Sequence, residues 1–431
     1  MPVIATEPRP VVGPEAHAEA AWQKLQTPGT RAAERKEAAY AFAAACRAIE
    51  EHEPSAALAL AELAVSLDPL SLSRALAAAR ILAEVGTTEA VAALVRIALS
   101  QDIAVASRAL SVLPSMRTSQ AAQALLTDAV RDGTTGAEIQ RRSLLAPGLG
   151  RQLITSDDFE ATAWARTHPI ATVRAAWARA LARAGGPAAS AYLPAMTDDP
   201  EALVRVWAAF GLVLEGETDA LPVLVRCVRS RRSDERAAAV GLLGVLPLPA
   251  AAPHVLAATS DRSPLVACIA LMRSAHVGVR GGLLALADQL DHRRTDIVEH
   301  AAWALRELIG SDPGFAWSGR RLTPASVAAV RARCRSTHEV WAPASRYLHG
   351  EPLTARAVAR ELDEPAGGAA EAAFFTLLGM SGRSFGYDPA ADEVANREPV
   401  RRLAAWAEEN GRSMIPGAFY HRGALVSPDR R

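Results

Sequence analysis

A recurring helix start, repeated about every 31 to 34 residues, constrains the fold of this sequence more than any other feature. Each start has a short polar or proline-containing turn, a hydrophobic residue, a polar residue and then alanine-rich sequence, as in HPIATVRAAWARAL and DPEALVRVWAAFGL. A period of this length predicts a repeat built from two helices. The equivalent positions in the eight starts are Ser73, Ala106, Gln140, Arg174, Arg205, Arg236, Ala267 and Glu299.

A second apolar helix lies between successive starts, for example in TTEAVAALVRIALS and TDALPVLVRCVRS. Neither helix of such a pair can bury its apolar face alone, so stacked neighbours share one continuous core. Half of the residues are hydrophobic but only 5% are aromatic, and the abundant alanine favours closely packed helices. We therefore predict an all-α protein, an α-solenoid of helix pairs.

The period divides the chain into four predicted regions. Residues 1–15 are proline-rich and are expected to be disordered, and residues 16–54 form a helical cap. Residues 55–310 hold about eight repeats, each of about 31–34 residues. Residues 311–431 form an atypical helical cap region with a short irregular tail. We expect Trp303, in the last regular repeat, to be a packing residue and not a substrate platform.

Within the last region, SDPGFAWSGRRLTP is predicted to be a loop, PASVAAVRARCRSTHEVW a helix, and the sequence from Ala344 to Met380 a further helix pair. A short hairpin is expected around Phe419, Tyr420 and Gly423. Five aromatic residues are expected to close the exposed core of the final repeat or to bind a partner, and they are Phe374, Phe375, Phe385, Tyr387 and Trp406.

Charge and cysteine usage exclude several classes of protein. The chain has 47 basic and 47 acidic residues, so net charge disfavours a nucleic-acid partner. No signal peptide or apolar run of roughly 18 residues is present, so we expect a cytoplasmic protein without a membrane partner. The cysteines lack CxxC spacing, which predicts buried thiols without a zinc site or disulfides, and they are Cys46, Cys227, Cys268 and Cys334.

Two stretches resemble known families. The start from Asp199-Pro200 to Arg205 resembles HEAT repeats, including the short bacterial kind of phycobilin-lyase-like proteins. The stretches HAEAAW, from His17, and RYLHGEPLT, from Arg346, are similar to a bacterial HEAT-repeat family often encoded near type VI secretion components. This resemblance implies a cellular setting and supplies no catalytic residues.

A metal site is the first enzymatic alternative. HEAT proteins that resemble deoxyhypusine hydroxylase bind two irons through several His-Glu pairs in symmetric repeats. Here Glu299-His300 has the opposite order, and the other repeats carry no such pair. His338-Glu339 stands outside the period. Because oxygen-activating iron requires several nitrogen and carboxylate ligands, we expect no metal and no other cofactor.

A DNA glycosylase of the HEAT-like alkylpurine class is the second alternative. Such enzymes place tryptophan and aspartate on a basic concave surface, and this chain has Trp164, Trp177 and Trp207 after Asp157-Asp158. An arginine cluster could contact nucleic acid. The balanced net charge disfavours this reading, and we expect the tryptophans to pack in the core. The cluster consists of Arg226, Arg229, Arg231, Arg232 and Arg236.

The sequence favours a non-enzymatic scaffold or adaptor that binds a protein or peptide in a groove lined by the second helices. An enzyme of the glycosylase or lyase type and a regulatory module of one partner enzyme stay open as alternatives. The candidate partner-binding residues are polar ones on or near the second helices, namely Glu89, Arg96, Gln120, Gln123, Arg226, Arg229, Arg231 and Arg232.

Overall fold

The structure is a computed structural model in which two compact units are distinguished. The first comprises Met1–Leu153 and Thr167–Ala176, and the second comprises Ile154–Arg166 and Trp177–Arg431. The predicted disordered segment 1–15 and the first predicted start at Ser73 lie outside the described residues, and the predicted domain limits stay predictions. The described residues are 88–99, 120–132, 136–152, 156–362, 368–387 and 393–426, with positions 16, 17, 20, 21, 23, 24, 27, 34, 38, 41, 106, 110 and 113.

The secondary structure of the described residues is almost entirely helical, and the predicted all-α solenoid is confirmed. None of the described helices is both long and apolar enough to cross a membrane. The helices are α1 (Thr88–Ala98), α2 (Gln120–Arg131), α3 (Gly136–Arg142), α4 (Ala146–Gln152), α5 (Ser156–Ala161), α6 (Ala171–Ala184), α7 (Gly186–Ser190), α8 (Ala202–Leu214), α9 (Leu221–Val228), α10 (Ser233–Leu243), α11 (Ala252–Ala258), α12 (Pro264–Val277), α13 (Gly281–Ala287), α14 (Thr295–Ile309), α15 (Pro324–Val340), α16 (Ala355–Arg360), α17 (Gly368–Ser381) and α18 (Glu393–Gly411).

The first unit contains helices α1 to α4. Helix α1 packs against α2, and buried Leu94 and Leu126 lie in this part of the chain. Arg142 at the end of α3 donates from Nη1 to the carbonyl of Ala129 at 2.9 Å, so it links α3 to α2. These contacts follow the expected logic of helix pairs that share apolar faces.

The regular part of the array has a constant period of 31 residues. Glu201 and Arg232, which form an ion pair, are separated by one such period in the sequence. Helices α6, α8, α10, α12 and α14 begin at Ala171, Ala202, Ser233, Pro264 and Thr295. The residue equivalent to Ala267 is therefore Val298, which corrects the predicted register at Glu299. Both Ala267 and Val298 are buried, whereas Glu299 is exposed, because the buried stripe of each helix keeps the same phase.

Consecutive repeats share one core in the second unit. Helix α8 packs against α10, α10 against α12, and α12 against α14. The core of the last repeats includes Leu271, Leu286 and Leu305, and it continues into Val330 and Cys334 of α15. Helix α15 thus closes the final repeat by supplying the apolar face that a further repeat would have provided.

Helix α17 packs against the middle of the array. Its residues 372–380 are all buried, and the ring of Phe375 lies 5.1 Å from that of Phe210 in α8. A helix that is apolar on every side must be covered on every side. The prediction that Phe374 and Phe375 close the final repeat is therefore wrong, because α15 has that position and α17 covers α8.

Trp303 of α14 is more exposed than the equivalent residue of α8. It occupies the helix position of α14 that Phe210 occupies in α8, yet its side chain is 38% exposed. Phe375 covers Phe210, and no described aromatic ring covers Trp303 in the same way. The expectation that Trp303 is a packing residue therefore holds for only part of its side chain.

Three two-stranded hairpins interrupt the C-terminal helices. Strands β1 (Trp317–Ser318) and β2 (Arg321–Leu322) form the first, within the predicted loop, and β3 (Tyr347–Leu348) and β4 (Glu351–Pro352) form the second, within the predicted helix pair. Strands β5 (Tyr420–His421) and β6 (Ala424–Leu425) form the third, where a hairpin was predicted. The first two hairpins were not predicted because two-residue strands are too short to show alternation.

The turns of the second and third hairpins complete the ends of helices. His349 N donates to Glu307 O at 3.1 Å and Gly350 N to Leu308 O at 2.9 Å, at the end of α14. In the same way, Arg422 N and Gly423 N donate to carbonyls at the end of α17, at 2.7 and 2.6 Å. Carbonyls at a helix end have no partner within the helix, so each turn acts as a C-terminal cap.

Arg346, the first residue of the RYL stretch, caps another helix. Its side chain is 2% exposed, and it donates from Nε to Val277 O at 3.1 Å and from Nη2 to His276 O at 2.9 Å. Both carbonyls belong to the last turn of α12. Burial lowers the pKa of the Arg346 guanidinium to about 10, so the side chain stays charged at neutral pH.

Candidate interaction surface

The turn before each regular helix is closed by the same hydrogen bond. The side chain at the turn's first position accepts from the backbone N–H two residues later: Asp199 from Glu201 at 2.8 Å, and Asp261 from Ser263 at 2.8 Å. Equivalent bonds reach His168, Ser230 and His292 from residues 170, 232 and 294. Two of the histidines in the sequence therefore shape turns, as Asp and Ser do in the neighbouring repeats.

A periodic arginine stabilises three of these turns. Arg205 donates from Nη1 to Asp199 O at 2.6 Å and to Pro200 O at 2.8 Å, and Arg174 and Arg236 make the equivalent pairs of bonds. Each arginine reaches the carbonyls five and six residues before it. The arginine at the predicted register positions therefore has a structural role in this part of the chain.

Arg236 does not belong to the surface cluster in which the sequence placed it. Its side chain is buried, and it binds Asp261 of the next turn with two bonds of 2.9 and 2.8 Å. Burial alone would raise the pKa of the Asp261 carboxyl, but the hydrogen bonds from Arg236 and the Ser263 amide hold that pKa below its usual value. This ion pair joins two consecutive repeats.

The other four arginines of the predicted cluster are exposed. Arg226 lies in the last turn of α9 and Arg229 directly follows that helix. Arg231 and Arg232 lie together in the turn before α10. Arg232 is not free, because it forms ion pairs with Glu201, Asp234 and Glu235.

The remaining predicted residues lie in the first unit. Glu89 and Gln120 lie in the first turns of α1 and α2, and Arg96 is exposed in the last turn of α1. Gln123 is half-buried, and its backbone carbonyl accepts from Thr127 Oγ1 at 2.9 Å. The predicted partner-binding set is thus divided between the two units.

Two surface arginines were missed by the sequence analysis. Arg262 and Arg293 are exposed and occupy the position of Arg231 in the next two turns, at intervals of 31 residues. The same interval counted twice from Arg231 would have identified both. The register of the last repeat was taken one residue too late in the sequence, which hid the correspondence between Arg293 and Arg231.

The residues of the metal alternative have ordinary bonds. Glu299 pairs with exposed Arg320 at 3.5 Å, and His300 Nδ1 donates to Asp296 O at 2.7 Å. Within the described ranges, no group of three or more His, Cys, Asp or Glu side chains is placed to hold a metal ion. The expected absence of metal and cofactor stays a prediction.

Two of the three tryptophans of the glycosylase alternative have packing roles. Trp177 is 2% exposed and donates from Nε1 to Thr162 Oγ1 at 3.0 Å. Trp207 is half-buried, with the Arg179 guanidinium 5.0 Å from its ring centroid. Burial raises the pKa of the thiols of Cys227, Cys268 and Cys334, so these thiols are poor nucleophiles.

Residues Gly382 to Gly386 fit the G-x-S-x-G pattern of hydrolases. That chemistry needs the serine on a sharp turn between a strand and a helix. Here Ser384 follows helix α17, and its Oγ accepts from Gly386 N at 3.4 Å. The pattern is therefore a turn in this structure, without the geometry of a nucleophile elbow.

Comparison with known families identifies HEAT repeats over residues 160–244. That range runs from the end of α5 to the end of α10, and most of it lies in the part of the chain that has the constant period. These residues therefore match HEAT repeats, and this part of the predicted resemblance is confirmed. None of the curated proteins matches the sequence.

Three solved structures resemble parts of the chain at low identity. Human deoxyhypusine hydroxylase in complex with glycerol is 18% identical over 68% of this chain and 96% of that chain, with a TM-score of 0.29. YibA of Escherichia coli is 16% identical over 57% and 96%, with a TM-score of 0.33. The CpcE–CpcF complex of phycocyanin lyase from Nostoc is 19% identical over 71% and 98%, with a TM-score of 0.28. These values support no statement about the activity of this chain.

Proposed function

We propose that the protein is a non-enzymatic scaffold that binds a protein or peptide partner along its repeat array. One observation carries the proposal: the turns of the array are held by the same hydrogen bonds in consecutive repeats of constant length. Surface side chains at equivalent positions therefore recur along consecutive repeats, as in extended solenoid binding surfaces.

The proposed setting is the bacterial cytoplasm, as an accessory of a type VI secretion apparatus. It rests on the resemblance of HAEAAW and RYLHGEPLT to the family encoded near such components. The structure gives the second stretch a physical role, because Arg346 and the His349-Gly350 turn cap α12 and α14. These residues are thus expected to support the array and not to contact the partner.

Affinity capture tests the scaffold. Wild-type protein is compared with a variant in which Arg226, Arg229, Arg231 and Arg232 are changed to Ser, using native lysate and quantitative mass spectrometry. A matched variant with equal charge loss changes four exposed arginines elsewhere in the sequence. Those control positions are Arg166, Arg335, Arg397 and Arg412.

The expected result is a protein enriched by wild type and by the matched variant, and depleted with the four-arginine variant. A partner that is captured equally by wild type and by both variants would show that the four predicted arginines are not its binding site. Excision of alkylated bases by the purified protein, or stoichiometric iron in it, would replace the scaffold by one of the enzymatic alternatives.

A further inference from the structure

Three exposed arginines form a row along the turns of the second unit. Arg231, Arg262 and Arg293 occupy the same position of consecutive turns, directly after the residue that closes each turn. None of the three forms an ion pair with a residue that the structure describes. The neighbouring carboxylates of Asp234 and Asp296 are already paired, with arginines two residues before them.

The turns that carry this arginine row are adjacent in space. Helix α10 packs against α12 and α12 against α14, and packed helices lie ~8–10 Å apart. Arg236 at the start of α10 binds Asp261 in the next turn, which confirms that these two turns meet. At the far end, Arg321 donates from Nη2 to Arg293 O at 3.2 Å, so a fourth guanidinium continues the row.

The N-termini of three helices add positive electrostatic potential beside the arginine row. Helices α10, α12 and α14 each begin two residues after a row arginine, at Ser233, Pro264 and Thr295. The N-terminus of a helix carries partial positive charge. The row therefore combines exposed guanidinium groups with three aligned positive helix ends.

The surrounding charges favour a ligand with spaced carboxylates over a continuous polyphosphate. Glu201, Asp234 and Asp296 lie among the row arginines, and the chain as a whole has a net charge of +0. A polymer with a negative charge at every unit would meet these carboxylates as well as the arginines. A segment with isolated acidic residues can place them at the arginines only.

We propose that the arginine row binds an extended acidic segment of a partner protein, with Asp or Glu at about every third residue. An extended chain rises ~3.3 Å per residue, so three residues span ~10 Å, which matches the separation of the turns. This inference rests on the proposed scaffold function and specifies the chemistry of its partner.

Fluorescence anisotropy with synthetic probes tests the inference. The first probe is a labelled peptide with Glu at every third position, separated by Gly and Ser. The second has the same composition with the Glu residues in one block, and the third is a single-stranded oligonucleotide of equal length. We expect the spaced peptide to bind most tightly and to lose affinity with added salt, because exposed ion pairs are screened.

A triple variant, R231S/R262S/R293S, should bind the spaced peptide on the order of tenfold more weakly. The matched control R335S/R397S/R412S has the same net charge and should bind as wild type does. Circular dichroism of both variants verifies the fold. Equal affinity of the triple variant, equal binding of the block peptide, or tighter binding of the oligonucleotide would each overturn the inference.

The same variants separate this inference from the proposed function. If affinity capture finds a partner that the triple variant retains, the arginine row is not its site and the scaffold function stands. If neither wild type nor any variant captures a specific partner, the scaffold function itself fails. A captured partner that is lost only with the triple variant supports both.

Discussion

Arg346 is enclosed by protein, and its guanidinium is held by backbone carbonyls at the end of α12. The partial negative charge of a helix C-terminus stabilises a cation there. Hydrogen bonds from a charged donor are also stronger than neutral ones. The side chain therefore links the RYL stretch to the array through hydrogen bonds to carbonyl oxygens.

Replacing Arg346 by Leu is expected to lower the free energy of unfolding by about 3 kcal/mol. The change removes two charged hydrogen bonds and leaves the carbonyls of His276 and Val277 buried without these partners. Urea denaturation followed by circular dichroism measures the effect. Arg335→Leu on the exposed face of α15 is the control and should change stability little. Equal losses in the two variants would contradict the capping role.

His276, beside Arg346, makes the free energy of unfolding depend on pH in the acidic range. Burial lowers the pKa of its imidazole from 6.5 to about 4, and repulsion by Arg273 and Arg346 adds to this, against the hydrogen bond to Met272 and the attraction of Glu361. The unfolded chain therefore binds the proton first. Stability from this residue is complete above pH 6.5 and is lost as pH falls towards about 4.

The variant His276→Gln should flatten this acid dependence. Between pH 6.5 and pH 4.5 the wild type is expected to lose about 2 kcal/mol more than the variant, because Gln does not titrate. Urea denaturation at a series of pH values gives the two slopes. Parallel slopes would show that the folded protein protonates His276 as readily as the unfolded chain does.

At the level of elements, the ends of α14 and α17 depend on hairpin turns. Gly310 follows α14 with φ +74°, and a Cβ there would lie 2.1 Å from the carbonyl oxygen of His349. Backbone cannot yield as a flexible side chain can. The glycine therefore permits the close approach through which the second hairpin caps the helix.

Gly310→Ala should cost at least about 3 kcal/mol, since left-handed strain adds to a backbone clash. Gly319 in the first hairpin is the matched control. It has φ +61° and open space around its Cβ position, so Gly319→Ala should cost only about 1 kcal/mol. Thermal unfolding of both variants measures the difference. Similar melting temperatures would contradict the importance of the close contact.

The helices and the third hairpin could be predicted from sequence, whereas the first two hairpins could not, for a physical reason. Turn residues such as Asp199-Pro200 and the apolar stripe after them are local signals, so helix starts follow from the sequence. The first two hairpins have strands of only two residues, which are too short to show an alternating pattern. Their local signal is the shared G-x-x-L-T of GRRLT and GEPLT, which ends at the capping residues Thr323 and Thr354.

The candidate surface was predicted in part. Arg231 and Arg232 were selected from a local arginine cluster, and both are exposed. Arg236 looked equivalent in the sequence but is buried by Asp261, which is 25 residues away. Local charge density does not show which arginine finds a distant carboxylate. Only the fixed period reveals Arg262 as a member of the row.

At the scale of the second unit, α17 connects the C-terminal elements to α8, whereas in a simple array these distant parts would make no contact. In a solenoid each repeat contacts its neighbours, so ends can unfold separately. Here Phe375 packs on Phe210 of α8, and Arg422 after β5 pairs with Glu215 at 2.5 Å. These contacts connect the C-terminal elements to an early repeat, and we expect the unit to unfold in one transition.

Phe375→Ala tests this cooperativity. The loss of a buried ring should cost about 3 to 4 kcal/mol. Hydrogen exchange followed by mass spectrometry should then show lower protection in both α8 and α14, although the ring contact of Phe375 is with Phe210 of α8. Ile415→Ala, at a 58% exposed side chain, is the control. Increased exchange confined to α8 would show that the repeats open independently.

The pairing of Arg422 with Glu215 also has a consequence for synthesis on the ribosome. The two residues are 207 positions apart. At roughly 5–20 residues per second, α8 waits roughly 10 to 40 s after its own translation for the segment that completes its end. During this interval the emerging helices expose the face that α17 later covers. Premature association at that face is therefore a hazard that nascent-chain chaperones would have to prevent.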